Sequence, residues 1–225
     1  MGEKSRRQGV AWTVGGLVVA VALVGAGALA VHLSADSRPL TVARGDDGVA
    51  TVLISGDSLA AAFFASSPEQ GFVSLVFDAL APVTITEAAQ AHQTLTTVSA
   101  ITDVPAGVDL AIVELGTNDV GEQTPLRTFD AQYAALLDRI RSSSPDAALV
   151  CLGTWTGWGG AYDTLIERAC VGHGGRYVGL GGLFRDPANR GPEGRSTFLG
   201  AGDDFHPNDA GHRAIDEAVL AVLKD

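Results

Sequence analysis

Five short apolar runs, separated by longer helical patterns, constrain this chain to an α/β fold with a parallel sheet. The runs are apolar without alternation, which is typical of strands that are buried on both faces. They are Thr51–Ser55, Val83–Ile85, Leu110–Leu115, Ala148–Leu152 and Tyr177–Leu180. In chain order, these are the first to fifth predicted strands.

Two helical patterns are expected to cover the sheet. Between the third and fourth predicted strands, apolar residues recur at helical spacing and predict a helix that packs on the sheet. They are Phe129, Tyr133, Leu136, Leu137 and Ile140. Residues 209–223 repeat the pattern, with Asn208 or Asp209 as N-cap. No internal repeat is present, so residues 49–225 are predicted to form one domain.

The segment before this domain is strongly apolar. No Asp, Glu, Lys or Arg occurs from Gln8 to Ala35, and residues 10–31 are almost entirely Ala, Val, Leu and Gly. As a helix, such a run would be roughly 33 Å long, enough to cross a hydrocarbon core of about 30 Å. Basic residues precede it, which predicts that the chain after Leu33 is exported.

Two outcomes are open for this hydrophobic helix. It either remains as a membrane anchor or is cleaved as a signal peptide, for which Ala28-Leu29-Ala30 fits the small-x-small pattern. Residues 1–33 are therefore predicted to be a cytoplasmic tip with a signal anchor or signal peptide, and residues 34–48 a linker. The catalytic domain is then either membrane-anchored and extracytoplasmic, or secreted after cleavage near Ala30.

Charge bears on the expected partners of the chain, and cysteine content bears on disulfide formation and metal binding. Acidic side chains outnumber basic ones 26 to 15, for a formal net charge of −11, so nucleic acid is not an expected partner. Cys151 and Cys170 could close a disulfide in an oxidising compartment, the alternative being two buried free thiols. Neither has a second cysteine at metal-ligand spacing, so no zinc site is expected on them.

Three polar motifs lie where the functional loops of a parallel α/β sheet are expected. They are Gly56-Asp57-Ser58-Leu59 after the first strand, Gly116-Thr117-Asn118-Asp119 after the third, and Asp203-x-x-His206-Pro207 before the last helix. Taken singly, Ser58 could cap an Ala-rich helix, and Asn118 could belong to an ordinary turn. The spacing of Asp203 and His206 lets the carboxylate reach one imidazole nitrogen, as in a catalytic triad.

Together, the three motifs resemble those of the GDSL or SGNH hydrolase family of esterases and lipases. Residues 56–59 match the nucleophile block, residues 116–119 the asparagine block, and Asp203-x-x-His206-Pro207 the final block. The resemblance extends from the first strand to the last helix. It implies a flavodoxin-like, three-layer α/β/α sandwich whose five-stranded parallel sheet has the order 2-1-3-4-5.

The resemblance also implies a role for each residue. Ser58 would be the nucleophile, His206 the base and acid, and Asp203 the carboxylate that orients the imidazole. The oxyanion would be bound by the Ser58 N–H, the Asn118 amide and an N–H from the loop after the second strand. The family has a glycine in that loop, whereas this chain aligns His92 there, so the third donor is expected at the His92 backbone.

Other residues carry separate expectations. Trp155 and Trp158, after the fourth strand, are placed either to line the substrate pocket or to cover a hydrophobic edge. His212 lacks metal-ligand partners at recognisable spacing and is expected at the surface. Residues 184–202, rich in Gly, Pro and Arg, are expected to act as a mobile lid.

These observations predict an exported serine esterase with an acyl-enzyme intermediate and no metal or organic cofactor. The expected substrate is an ester-bearing small molecule, a lipid or an acylated glycan, with membrane contact only through the N-terminal helix if that helix is uncleaved. Two alternatives are an acyltransferase with the same triad and a catalytically silent binding domain of the cell envelope. The missing loop glycine favours the silent domain, whereas the intact Ser58, Asp203 and His206 oppose it.

Overall fold

The computed structural model describes residues 38–224. The predicted signal anchor or signal peptide, residues 1–33, lies outside this described part of the chain, as do the first residues of the predicted linker. Among the helices of residues 38–224, none combines the length and hydrophobicity that crossing a bilayer demands.

The strands of the described residues form three sheets. They are β1 (Leu40–Thr41), β2 (Ala50–Gly56), β3 (Val83–Ala89), β4 (Leu110–Glu114), β5 (Ala148–Leu152), β6 (Arg176–Val178), β7 (Ser196–Thr197), β8 (Gly200–Ala201) and β9 (Leu223–Lys224). The main sheet is parallel and has the order β3-β2-β4-β5-β6. This is the order 2-1-3-4-5 of the predicted strands, so the predicted sheet topology is confirmed.

Helices connect the strands. They are α1 (Phe72–Leu80), α2 (Leu95–Ile101), α3 (Thr117–Glu122), α4 (Leu126–Ser143), α5 (Gly160–Gly172), α6 (Gly181–Arg185) and α7 (Asp209–Leu220). Residues of α1 and α7 belong to one hydrophobic core, and residues of α2, α4 and α5 belong to a second core. The sheet lies between these two cores, which is the three-layer arrangement that the resemblance implies.

Successive residues of the central strands supply the two cores in turn. Ile54 and Ile112 belong to the core of α1 and α7, whereas Leu53 and Val113 belong to the core of α2, α4 and α5. All four side chains have no exposed surface. Burial on both faces explains why the strands are apolar without alternation. The predicted apolar residues of α4 are likewise buried.

Two strand pairings extend the domain beyond its predicted strands. β3 is an edge strand that reaches Ala89, because it pairs with β2 as far as Gly56. This pairing brings the loop after β3 beside residues 56–59, which we call the nucleophile motif. The described end of the predicted linker contributes β1, which pairs in parallel with β9, and Val42 is buried in the core.

A disulfide joins Cys151 in β5 to Cys170 in α5. Both cysteines have no exposed surface and lie in the core of α2, α4 and α5. The two residues are separated by 19 positions. Closing a loop of that size lowers the entropy of the unfolded chain by an amount worth about 3 kcal/mol.

We therefore expect the double variant Cys151→Ala/Cys170→Ala to lose about 3 kcal/mol of unfolding free energy. Urea unfolding of the parent and the variant, each with and without a reductant, measures this loss. The reductant should destabilise the parent and leave the variant unchanged. A parent protein whose stability does not respond to the reductant would contradict the bond.

Candidate active site

Ser58, His206 and Asp203 form a continuous hydrogen-bonded chain beyond the carboxyl ends of the strands. His206 Nε2 lies 3.1 Å from Ser58 Oγ, and His206 Nδ1 lies 2.7 Å from Asp203 Oδ2. Asp203 Oδ1 also accepts the backbone N–H of His206 at 2.7 Å and of Phe205 at 3.1 Å. The imidazole thus lies between a hydroxyl and an oriented carboxylate, an arrangement suited to activating the hydroxyl as a nucleophile.

Burial and hydrogen bonding set the protonation states of His206 and Asp203. Burial lowers the pKa of His206, and the charges of His92 and Arg195 lower it further. The hydrogen bond to Asp203 and the charge of Asp203 raise this pKa, but the net pKa remains below its usual value. Burial raises the pKa of Asp203, but hydrogen bonds from His206 and Phe205 outweigh it and bring that pKa below its usual value. At neutral pH His206 is therefore neutral and can accept a proton.

The turn that carries Ser58 is held by two buried carboxyl groups. Asp57 Oδ1 lies 3.3 Å from Ser58 Oγ and accepts the N–H of Leu59 at 3.2 Å. Glu114, the last residue of β4, accepts the N–H of Asp57 at 3.1 Å and of Ala60 at 3.3 Å through Oε2. These bonds fix the turn against the end of the neighbouring strand.

The two carboxyl groups are buried close together, and both of their pKa values are raised. Burial raises the pKa of Asp57 to about 6. Burial, together with the nearby charge of Asp57, raises the pKa of Glu114 well above its usual value. Burial and the repulsion between the two groups therefore oppose a second negative charge beneath Ser58.

The segment after the nucleophile motif forms successive turns, so the expected Ala-rich helix is wrong. Ala62 and Phe64 have φ angles of 55° and 59°, in the left-handed region. The carbonyl of Phe63 accepts a hydrogen bond from His212 Nε2 at 3.1 Å, and the carbonyl of Phe64 accepts one from Arg195 Nη2 at 3.2 Å. Contacts with distant residues thus override the local helical preference.

The asparagine motif holds the loop after β3. Asn118 Nδ2 donates to Asp57 Oδ2 and to the Gln93 carbonyl, both at 3.0 Å. Asp119 Oδ2 accepts the first N–H of α2 at 2.9 Å. Asn118 therefore lies between the nucleophile motif and the loop that contains His92.

His92 has the backbone conformation of a glycine position. Its φ angle is 62°, in the left-handed region that glycine adopts at least cost. This conformation agrees with the alignment of His92 to the loop glycine of the family. Its exposed ring lies 5.6 Å from the Phe63 ring and 6.5 Å from the His206 ring, measured between centroids. The His92 side chain therefore stands at the edge of the site.

The two tryptophans occupy different environments. Trp155 is fully buried and so does not line an open pocket in this structure. Its Nε1 donates to the Phe205 carbonyl at 2.8 Å, which supports the segment that carries His206. Trp158 is 78% exposed and contacts the Phe184 ring edge-on at 6.1 Å. Of the pair, Trp158 alone is free to contact a ligand from solvent.

His212 is fully buried, so its expected surface position is wrong. Its Nδ1 accepts the Phe72 N–H at 3.3 Å, while its Nε2 donates to the Phe63 carbonyl. The sequence held a signal for this burial, because His212 lies three and seven residues before Ile215 and Val219, on the buried face of α7. Sequence reasoning missed it by treating histidine as a surface residue.

A family model described as GDSL-like lipase/acylhydrolase matches residues 54–214, well over half of the chain. The chain belongs to the GDSL-like lipase/acylhydrolase family. The match contains all three motifs, so the family that they resemble is confirmed.

Solved structures share the fold of this GDSL-like chain. An extracellular lipase from Streptomyces rimosus is 16% identical, with a TM-score of 0.61 over 77% of this chain and 99% of the lipase. A psychrotrophic esterase, EstA, from Pseudoalteromonas sp. is 18% identical, with a TM-score of 0.55 over 76% of this chain and 95% of EstA. A salicylyl-acyltransferase from a tetracycline biosynthetic pathway is 18% identical, with a TM-score of 0.56 over 75% of this chain and 52% of the transferase. No curated protein matches the chain.

The buried His212 makes stability depend on pH. Burial lowers its pKa from 6.5 to about 4. Between pH 6.5 and 4, the unfolded chain therefore binds a proton at His212 that the folded protein does not bind. The free energy of unfolding consequently decreases as the pH falls from 6.5 towards 4. Asp57 and Asp216 act with the opposite sign, because burial raises the pKa of each to about 6.

We expect the stability difference between the parent and His212→Gln to shrink by about 2 kcal/mol between pH 7 and pH 5. The glutamine removes the titration in both states, while Asp57 and Asp216 contribute equally to both proteins and cancel. Urea unfolding at several pH values measures the difference. A difference that stays constant with pH would show that His212 is not held neutral.

Proposed function

We propose that this family member is an exported serine esterase that hydrolyses carboxylic esters through an acyl-enzyme intermediate. One observation carries the proposal: Ser58 Oγ, His206 and Asp203 are joined by contacts of 3.1 and 2.7 Å. Membership in a family of lipases and acylhydrolases supports hydrolysis as the reaction. No metal or organic cofactor enters the proposed chemistry.

In the first half-reaction, Ser58 Oγ attacks the ester carbonyl carbon while its proton passes to His206 Nε2. The ionised Asp203 stabilises the resulting imidazolium through Nδ1. The carbon–oxygen bond to the alcohol then breaks, and the alcohol leaves with the proton from Nε2. The acyl group remains on Ser58 as an ester.

In the second half-reaction, water takes the place of the alcohol. Its oxygen attacks the acyl carbon while one of its protons passes to His206 Nε2. The bond between the acyl carbon and Ser58 Oγ breaks, and Ser58 recovers a proton from Nε2. A carboxylic acid is released, and the enzyme returns to its starting state.

Three donors are proposed for the oxyanion: the N–H of Ser58, the N–H of His92 and the side-chain amide of Asn118. One such donor lowers the barrier by about 2.7–4 kcal/mol. Both hydrogens of the Asn118 amide are already donated, to Asp57 and Gln93. Because the bond to the Asp57 carboxylate is charge-assisted and stronger, the bond to the Gln93 carbonyl is the one that an oxyanion would replace.

The aromatic rings around His206 favour a substrate that carries an apolar group. The centroids of Phe63, Phe64 and Phe205 lie 5.7, 5.1 and 5.3 Å from the His206 centroid. All three side chains are half-buried, so they offer an apolar surface beside the base. This surface suits the acyl or alcohol part of an ester-bearing small molecule, a lipid or an acylated glycan.

Export is part of the proposal. The long uncharged run after the basic residues near the N-terminus supports it, as does the pairing of Cys151 with Cys170, which an oxidising compartment favours. The structurally similar lipase from Streptomyces rimosus is described as extracellular. Fractionation of cells that express the full-length chain, with protease added from outside, tests this part.

We expect the full-length chain to hydrolyse a short-chain nitrophenyl ester and Ser58→Ala to lower kcat by about 10³-fold or more. A fluorophosphonate should label the parent and not this variant. Ser142→Ala is the matched control, because Ser142 is exposed on α4 and should leave both results unchanged. Full turnover in Ser58→Ala would overturn the proposal.

The role of the His92 backbone is tested by His92→Gly and His92→Ala. Both remove the ring, but only glycine relieves the left-handed backbone, so His92→Gly should be more stable than His92→Ala by about 1 kcal/mol. If the backbone N–H is the donor, both variants should keep kcat for an acetate ester within about threefold, since one lost donor costs about 10²-fold or more. A loss of that size in both variants would assign the role to the ring.

A further inference from the structure

Arg195 donates hydrogen bonds to four backbone carbonyls beside the proposed triad. It lies between the 3-10 turn at Pro187–Asn189 and the hairpin of β7 and β8. Its Nη1 donates to the carbonyls of Pro192 and Asp203, and its Nη2 donates to the carbonyls of Phe64 at 3.2 Å and Pro207 at 3.1 Å. We call Arg195 and these carbonyls the Arg195 clamp.

The clamp joins both sides of the site. Asp203 and Pro207 are the two ends of the turn that carries His206, so Arg195 holds this turn at both ends. Phe64 belongs to the segment after the nucleophile motif, and its ring lies 5.1 Å from the His206 ring. One guanidinium therefore links the segment that follows the nucleophile to the segment that carries the base.

The surroundings leave room for a guanidinium in this place. A Cβ atom on Gly202 would lie 2.8 Å from Arg195 Nη1 and 2.9 Å from Arg195 Cζ. The Gly202 N–H donates to the Arg195 carbonyl at 2.8 Å, so the two residues are also joined through the backbone. A planar guanidinium, with donors fixed in a fork, can reach several carbonyls at once, whereas the ammonium of lysine is a compact point charge.

Resting on the proposed esterase function, we propose that Arg195 is a positioning residue. It fixes the turn from Asp203 to Pro207 against Phe64 and so holds His206 in line with Ser58. It contacts none of the reacting atoms. Its positive charge near His206 is a second property, and the test must separate that charge from the hydrogen bonds.

Four variants of the full-length chain separate these properties. Arg195→Met removes both the charge and the hydrogen bonds, and Arg195→Lys keeps the charge but replaces the forked donors with one compact ammonium. Gly202→Ala keeps Arg195 and its charge but places a Cβ 2.8 Å from Nη1, so the guanidinium must move from its present position against the carbonyls. Arg213→Met is the control, because Arg213 is exposed on α7 and its removal changes the net charge equally.

The expected kinetic result follows from misplacement of the base. On a nitrophenyl ester, Arg195→Met, Arg195→Lys and Gly202→Ala should each lower kcat by about 10- to 100-fold, with KM within about threefold of the parent. Arg213→Met should match the parent. A kcat within twofold of the parent in Gly202→Ala, or full activity in Arg195→Lys, would overturn the proposal. If Arg195→Met does not fold, Gly202→Ala and Arg195→Lys decide whether Arg195 positions His206.

A second measurement needs no turnover. The Nδ1 proton that His206 shares with Asp203 is expected to give a low-field NMR signal in the parent and in Arg213→Met. The signal should be lost in folded Gly202→Ala and Arg195→Lys, because the turn from Asp203 to Pro207 is no longer held. Retention of the signal in both overturns the positioning role. A parent protein without Ser58-dependent turnover would instead overturn the esterase proposal, while the NMR result still decides the clamp.

Discussion

Two carboxyl groups buried at the ends of neighbouring strands need hydrogen-bond donors, because an unsolvated charge is costly. Glu114 ends β4, Asp57 follows β2, and neither has exposed surface. Together they accept three backbone N–H groups of the turn after β2 and the amide of Asn118. The same bonds define the turn that carries Ser58. The position of the proposed nucleophile therefore follows from the hydrogen bonds that the two buried carboxyl groups accept.

Backbone strain on both sides of this turn is maintained by contacts from elsewhere. Ala62, Phe64 and His92 have positive φ angles without being glycine, and each such residue costs on the order of 1 kcal/mol or more. His212 and Arg195 bind the carbonyls of the segment that contains Ala62 and Phe64, from a part of the chain more than 130 residues away. The nucleophile side of the site is thus shaped by the segment that carries the proposed base.

The sequence predicted what depends on local pattern and on recognisable motifs. The buried strands and the apolar face of α4 repeat at the spacing of their own geometry, so they could be located directly. Strand order, and the meeting of Ser58 with His206, followed from family resemblance, since spacing alone does not fix topology. The turns after Ser58 could not be predicted in this way, whereas the spacing of His212 from Ile215 and Val219 on α7 did indicate its burial. These turns arise because two distant segments satisfy each other's carbonyl and imidazole groups.

The charges around Ser58, His206 and Asp203 suit the separation of charge in the proposed reaction. The side chain of His206 is 8% exposed and that of Asp203 is 40% exposed. A buried imidazole resists gaining a proton, so the neighbouring carboxylate must be ionised beforehand, and partial exposure with several donors keeps Asp203 ionised. On the other side of Ser58, burial and the charge of Asp57 raise the pKa of Glu114, which opposes a second negative charge on the buried pair. A second negative charge there would oppose the developing oxyanion of the proposed reaction, so the raised pKa of Glu114 favours that reaction.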